Sequence, residues 1–261
     1  MTKSKYKIYF SVLFFLIFSD LLSIEALSVL KETQAISPAV SKKKLVAIDP
    51  GHGGKDIGCK SPNGLTEKEI TLKLALMVKD ILSKNPVMDV FLARSEDIDL
   101  SSEKRVSLAN SKGADIFLSL HINASFDKNQ KGIEIYYYSE DNLGFSYSQS
   151  QTRSLNPEAS DEENKSLILP WNEAQNIFIP KSFEAASFLE ESFKSSQEIA
   201  FRSVNPAPLL VLTGTAMPAV LIEAGFITNT EEETALSRDG YLKVLAIKIA
   251  EGITKYFEDN G

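Results

Sequence analysis

The chain has two histidines, His52 and His121, and one cysteine, Cys59. Imidazole chemistry must therefore run through those two positions, and neither an intramolecular disulfide framework nor a cysteine-based zinc cluster can form. His52 follows the apolar run Leu45-Val46-Ala47-Ile48 and the tight turn Asp49-Pro50-Gly51, and Gly53-Gly54 behind it lets backbone approach a ligand closely. His121 ends the run Phe117-Leu118-Ser119-Leu120, and Glu223 ends Val220-Leu221-Ile222. Three polar groups thus terminate runs of strand character, at the ends where open α/β sheets present their sites. Thr66-Glu67-Lys68-Glu69 matches a capping box, with Thr66 as N-cap and Glu69 at N3 returning to the backbone. Glu69 is thereby occupied, and Glu67 at N1 is free to face whatever lies beyond the strand ends. Two imidazoles and a carboxylate make a set that can hold a catalytic zinc with a fourth position open to water. Zinc so held lowers the pKa of water to roughly 7 and polarises a carbonyl oxygen. Each residue also has a plainer reading: His52 as a turn cap, His121 as a satisfied core histidine, Glu67 as a dipole-stabilising carboxylate, Glu223 as the partner of a buried arginine. No Gly-x-Ser-x-Gly occurs, and no further histidine could serve a serine or cysteine nucleophile.

These groups need elements to position them. From Lys43 onward, apolar runs of strand length alternate with helical patterns, as in an α/β sheet. Strands are expected over residues 45–49, 88–93, 115–120, 132–138, 209–213 and 219–223, six in one domain. Helices are expected from Glu67 to about Asn85, near 102–111, over 183–200, and at the C-terminus, where Leu242, Leu245, Ile249 and Ile253 form one stripe. The fold class is a single-domain, mostly parallel, twisted six-stranded sheet with flanking helices. Residues 140–181 lack clean periodicity, which inside a compact domain points to a lid, a regulatory insertion or a surface loop.

The 28 Lys+Arg against 35 Asp+Glu give a net charge of −7, which argues against nucleic acid as a partner. Residues 1–26 read as a signal peptide: Lys3, Lys5 and Lys7 precede an apolar run at 8–18 that is short for a membrane span. Ala26 is the expected cleavage residue, an uncleaved anchor being the alternative. Residues 27–43 then form a linker and 44–261 the catalytic domain, exported to the periplasm or cell wall.

The flanking sequences resemble the zinc-dependent N-acetylmuramoyl-L-alanine amidases of the amidase-3 type. The matching segments are Val46-Ala47-Ile48-Asp49-Pro50-Gly51-His52-Gly53-Gly54-Lys55-Asp56 with Gly64-Leu65-Thr66-Glu67-Lys68, and Ala114-Asp115-Ile116-Phe117-Leu118-Ser119-Leu120-His121-Ile122-Asn123-Ala124. Gly132-Ile133-Glu134 follows, then the run from Pro218 through Glu223 to Asn229. The resemblance implies that His52, Glu67 and His121 ligate Zn²⁺, that Glu223 is the catalytic carboxylate, and that the fold is a six-stranded α/β domain. It implies hydrolysis of the amide between N-acetylmuramic acid and L-alanine in peptidoglycan, by a monomer. It further implies that an insertion like 140–181 can block the site until an activator protein relieves it, with apolar residues at 167–171 and 176–179 docking over the cleft. Two other functions compete: a zinc peptidase acting within the stem peptide, although His-Glu-x-x-His is absent, and a wall-binding protein that has lost catalysis. Asn123 is read as a substrate or turn contact, Arg94 and Arg105 as structural salt bridges ahead of substrate contacts, Cys59 as a thiol without a role, and Trp171 as an anchor for the insertion ahead of a sugar platform.

Overall fold

The computed structural model describes residues 42–139 and 175–260. The unit from Lys43 to Gly261 carries every element that follows. In chain order these are β1 (Lys44–Pro50), α1 (Glu67–Leu82), β2 (Met88–Leu92), α2 (Ser102–Lys112), β3 (Ile116–Asn123) and β4 (Ile133–Tyr138). Then come α3 (Ile179–Lys194), β5 (Phe201–Ala207), a 3₁₀ turn (Leu210–Leu212), β6 (Ala219–Phe226), α4 (Thr230–Leu236) and α5 (Asp239–Asp259). The six strands form one sheet in the order β2-β1-β3-β6-β4-β5. Every neighbouring pair is parallel except β4 with β6.

Strand alternation divides the core in two. Val46, Ile48, Leu118, Leu120, Ile122, Val220 and Ile222 face α1, α3 and α5 in the larger layer. The opposite face buries Ala47, Phe117, Ala219 and Leu221 against Ala109 of α2 and Leu212 of the 3₁₀ turn. Asp49, Ser119, His121 and Glu223 share the parity of this second face. It is the thinner layer among the described residues: Asp49 and Ser119 are fully buried in it, whereas His121 and Glu223 are only partly covered.

The first helix begins where the capping box placed it. Glu69 accepts from both the Thr66 amide and hydroxyl, at 3.3 and 2.5 Å. The fifth strand differs from expectation. It is Phe201–Ala207, whereas the apolar run at 209–213 is a 3₁₀ turn whose Leu212 plugs the thin core layer. The strand lies on the sheet edge, where Pro206 costs no ladder bond and no side chain is fully buried, so it lacks the alternation that marks a strand in sequence. Helix α3 starts at Ile179, four residues before expected and inside the stretch read as an insertion. Helix α4 was not anticipated, although Asn229 caps it by accepting from Glu231 and Glu232 amides at 3.0 and 3.1 Å.

Candidate metal centre

His52, Glu67 and His121 come from three separate elements and meet at one sheet edge. Each offers a ligand atom within 4.8 Å of the others. Glu67 Oε1 lies 3.1 Å from His52 Nε2 and 2.9 Å from His121 Nδ1. Ligands at the corners of a zinc tetrahedron stand about 3.3 Å apart, so these separations suit a small divalent cation. The parallel register explains the meeting. β1 and β3 are neighbours with Pro50, the last residue of β1, opposite Leu120, which brings the loop that carries His52 beside His121, within β3. Helix α1 then starts above them with Glu67 at N1, buried to 2% exposure.

The Glu67 carboxylate is fully engaged. Oε2 accepts from the Cys59 amide at 2.8 Å, and Oε1 accepts from the Ile122 amide at 3.0 Å while facing both imidazoles. Burial alone would raise its pKa. The hydrogen bonds from His121 and His52 outweigh burial and hold the carboxyl well below the usual range. Burial would likewise depress the His52 imidazolium, yet the hydrogen bond and charge of Glu67, followed by those of Asp56, raise it to about 9. A positive charge is what this pocket stabilises.

Asp56, which sequence reasoning did not single out, is the partner of His52. Its Oδ2 accepts from His52 Nδ1 at 2.7 Å, which turns Nε2 toward Glu67. The available signal was its spacing, four residues after His52 within Gly-His-Gly-Gly-Lys-Asp. His52 adopts φ 59°, the left-handed region, and so is strained for a residue with a side chain. Its carbonyl accepts from Arg105 Nη2 at 2.7 Å. Arg105 also pairs with fully buried Asp49 at 2.7 Å and donates to Pro50 O at 2.6 Å. Arg94, buried, donates to Pro50 O, Gly51 O and Lys68 O at 2.9, 2.8 and 3.0 Å. Arg105 is thus the expected structural ion pair. Arg94 instead clamps backbone carbonyls of the loop that carries His52.

Glu223 stands beside this centre, opposite His121 in the β3–β6 register. The β3–β6 register slips immediately after this pair, at the bulge around Gly225 with φ 126°, and resumes at Asn123 and Phe226. Its Oε2 is buried without a hydrogen-bond partner among the described residues. Burial, reinforced by the charges of Glu67 and Glu134 and opposed by the two histidines, pushes its carboxyl up to about 7. An orphaned, buried carboxylate oxygen therefore lies next to three groups that could hold a metal ion.

Of the remaining expectations, Asn123 makes a turn contact, accepting from the Ala124 amide at 2.8 Å, and donates to Glu134 at 3.0 Å. The Cys59 thiol is half-buried and pushed by burial up to about 11, consistent with a thiol that does no chemistry. Trp171 and the run 167–171 lie outside the described residues. Residues 176–179 do not lie over the cleft: Phe178 lines a cavity with Lys44, Asp115 and Pro218, which precede or open strands β1, β3 and β6 at the opposite end of the sheet. Gln175 anchors this stretch to the thin core layer, donating to Leu212 O at 2.6 Å and accepting from the Gly214 amide at 2.8 Å.

A family model for N-acetylmuramoyl-L-alanine amidase matches residues 46–255. The chain belongs to that family. It is 32% identical over 224 residues to N-acetylmuramoyl-L-alanine amidase AmiA of Escherichia coli, covering 82% of this chain and 76% of AmiA. Among solved structures, the catalytic domain of the amidase CwlV from Bacillus (Paenibacillus) polymyxa superposes with a TM-score of 0.65 at 29% identity. That alignment covers 82% of this chain and 98% of CwlV's domain. An N-acetylmuramoyl-L-alanine amidase from Clostridium difficile 630 gives 0.66 at 28% identity, over 85% of this chain and all of the other. The family amidases thus share the fold that brings His52, Glu67, His121 and Glu223 together here.

Proposed function

We propose that this amidase hydrolyses the bond between N-acetylmuramic acid and L-alanine of peptidoglycan with a zinc ion held by His52, Glu67 and His121, and with Glu223 as the proton carrier. The observation that carries the reading is the orphaned Oε2 of Glu223 beside three convergent cation ligands. Bound there, zinc would supply Lewis acidity, polarising the scissile carbonyl and lowering the pKa of water. Asp56 holds the His52 ring with Nε2 facing inward, and Glu67, pinned by two backbone amides, supplies a carboxylate that stays ionised. Glu223 accepts a proton from the attacking water as the new C–O bond forms. It returns that proton to the departing amine as the C–N bond breaks, so one water is consumed and no covalent intermediate with the chain arises.

The same reading places the protein outside the cytoplasmic membrane, delivered by residues 1–26 through the linker 27–43. It leaves 140–174 as the stretch on which an activator protein would act, since 175–181 are built into the catalytic domain. Glu223→Gln tests the assignment directly. The isosteric amide is expected to leave zinc content and melting temperature unchanged and to lower hydrolysis of labelled peptidoglycan by about 100-fold or more. Near-normal hydrolysis by a zinc-loaded variant would refute it. Mass spectrometry of the products, showing intact glycan and L-alanine-led peptides, distinguishes this bond from one within the stem peptide.

A further inference from the structure

The sheet carries a second irregularity, two strands beyond β6. In the β4–β5 ladder Ile133 pairs with Phe201 and Glu134 with Ser203, so Arg202 is an inserted residue with no partner on β4. Bulges of this kind re-aim a side chain. Here the side chain is turned toward the catalytic edge and held there by four contacts. Nε donates to Glu134 Oε1 at 2.8 Å, and Nη1 donates to Lys131 O at 3.3 Å. The guanidinium lies over the Phe226 ring, 5.4 Å from its centroid. The aliphatic stem rests on Gly132, where a Cβ would come within 2.8 Å of Cγ. Despite this, the side chain is 37% exposed, and Nη2 makes no hydrogen bond among the described residues. Glu134, in turn, is held on its other oxygen by Asn123 and by the Tyr136 hydroxyl, each at 3.0 Å. A row of groups results across adjacent strands: His121, Glu223, Glu134, Arg202.

We propose that Arg202 is a specificity-determining residue that binds a free carboxylate on the peptide side of the scissile amide. The inference rests on the role assigned to Glu223. The amine that leaves must lie within reach of the group that protonates it. The peptide beginning at that amine therefore continues past Glu223, over Glu134 and toward Arg202. Strand β5 is two strands beyond β6, roughly 10 Å at the usual spacing, and an extended peptide advances about 3.4 Å per residue. Arg202 accordingly meets the substrate two to three residues into the stem. A guanidinium with its plane fixed and one edge open is suited to a carboxylate, which accepts paired N–H donors, and not to a carboxamide. A role confined to neutralising Glu134 would require only Nε and would leave no reason for the bulge, the glycine under the stem or the exposed edge.

The test uses the zinc-loaded protein and two substrates. One is a muramoyl tripeptide with free second-residue and terminal carboxylates, and the other is the same compound with both converted to carboxamides. The wild-type protein is expected to favour the carboxylate substrate at least about tenfold in kcat/KM, through KM. Arg202→Gln should abolish the preference by raising KM for the carboxylate substrate much more than for the carboxamide, and Arg202→Lys should retain part of it. Hydrolysis of both substrates without preference by the wild-type protein would overturn the assignment alone. So would an Arg202→Gln variant that keeps the preference, or one that slows equally on both substrates. Failure of the wild-type protein to cleave either compound would overturn the amidase reading and this inference with it.

Discussion

Gly51→Ala should empty the metal centre while leaving the domain folded. Gly51 is not in the left-handed region, so alanine meets no backbone penalty there. Its Cβ, however, would lie 2.5 Å from Cε1 of His121 and 2.7 Å from both ring nitrogens. The backbone cannot retreat: the Gly51 amide donates to Leu120 O at 2.8 Å, and its carbonyl accepts from Thr71 Oγ1 at 2.9 Å and Arg94 Nη2 at 2.8 Å. The imidazole must yield instead, by about 0.9 Å to regain ordinary contact at 3.4 Å. Metal–ligand distances tolerate only about 0.2 Å, so the displaced ring is lost as a ligand. Zinc affinity is expected to fall by about 100-fold or more, whereas overpacking at a site-facing position costs about 1–3 kcal/mol of stability. Competitive chelator titration gives the affinity, and denaturant unfolding of the metal-free proteins gives the stability. Stoichiometric zinc at wild-type affinity in a folded Gly51→Ala variant would show that the ring is not fixed as argued.

The pH dependence of metal binding follows from His52. Because its imidazolium in the metal-free protein holds its proton up to about pH 9, zinc must displace that proton, and apparent affinity should climb about tenfold per pH unit from 7 to 9 and then level. A flat profile over that range in the same chelator titration would contradict it. In the metal-free protein the raised His52 and Glu223 act in the same direction. Glu223 contributes stability that is complete below its unfolded value of 4.5 and lost as pH rises through about 7. His52 contributes stability that is complete below 6.5 and lost through about 9. The melting temperature of the metal-free protein should therefore fall from pH 5 to pH 9, and zinc should flatten that fall. Arg105→Met leaves Asp49, 0% exposed, without its counter-charge, so unfolding free energy should drop by about 3–5 kcal/mol and zinc affinity should drop with it as the His52 loop loosens. Asp56→Asn removes the carboxylate that orients His52, and zinc affinity measured by chelator competition should fall about 10–100-fold with little change in melting temperature.

Much of this site was legible in one dimension because its residues interrupt apolar runs or open a helix, and both have local signatures. His121 and Glu223 stand out as polar breaks in apolar runs, although the strands do not end there and continue to Asn123 and Phe226, and Thr66 with Glu69 announces a helix start, since caps and strand burial depend on residues only a few positions apart. With two histidines in the chain, the imidazole ligands had no competitors. The edge strand Phe201–Ala207 was not legible, because an edge strand with no fully buried side chain, in which only Phe201 and Val204 pack against the core, has no clear hydrophobic period to display. Nor did the leucines at 209–213 reveal a 3₁₀ turn, since the same apolarity serves a buried strand or a plug beneath a sheet. What the tertiary structure alone decided is the electrostatic state of the site. The Ile122 amide on Glu67, the unpartnered Oε2 of Glu223 and the arginines gripping the His52 loop arise from groups tens of residues apart. The bulge that aims Arg202 is a fact of pairing between two strands, and a register exists only once the sheet has formed.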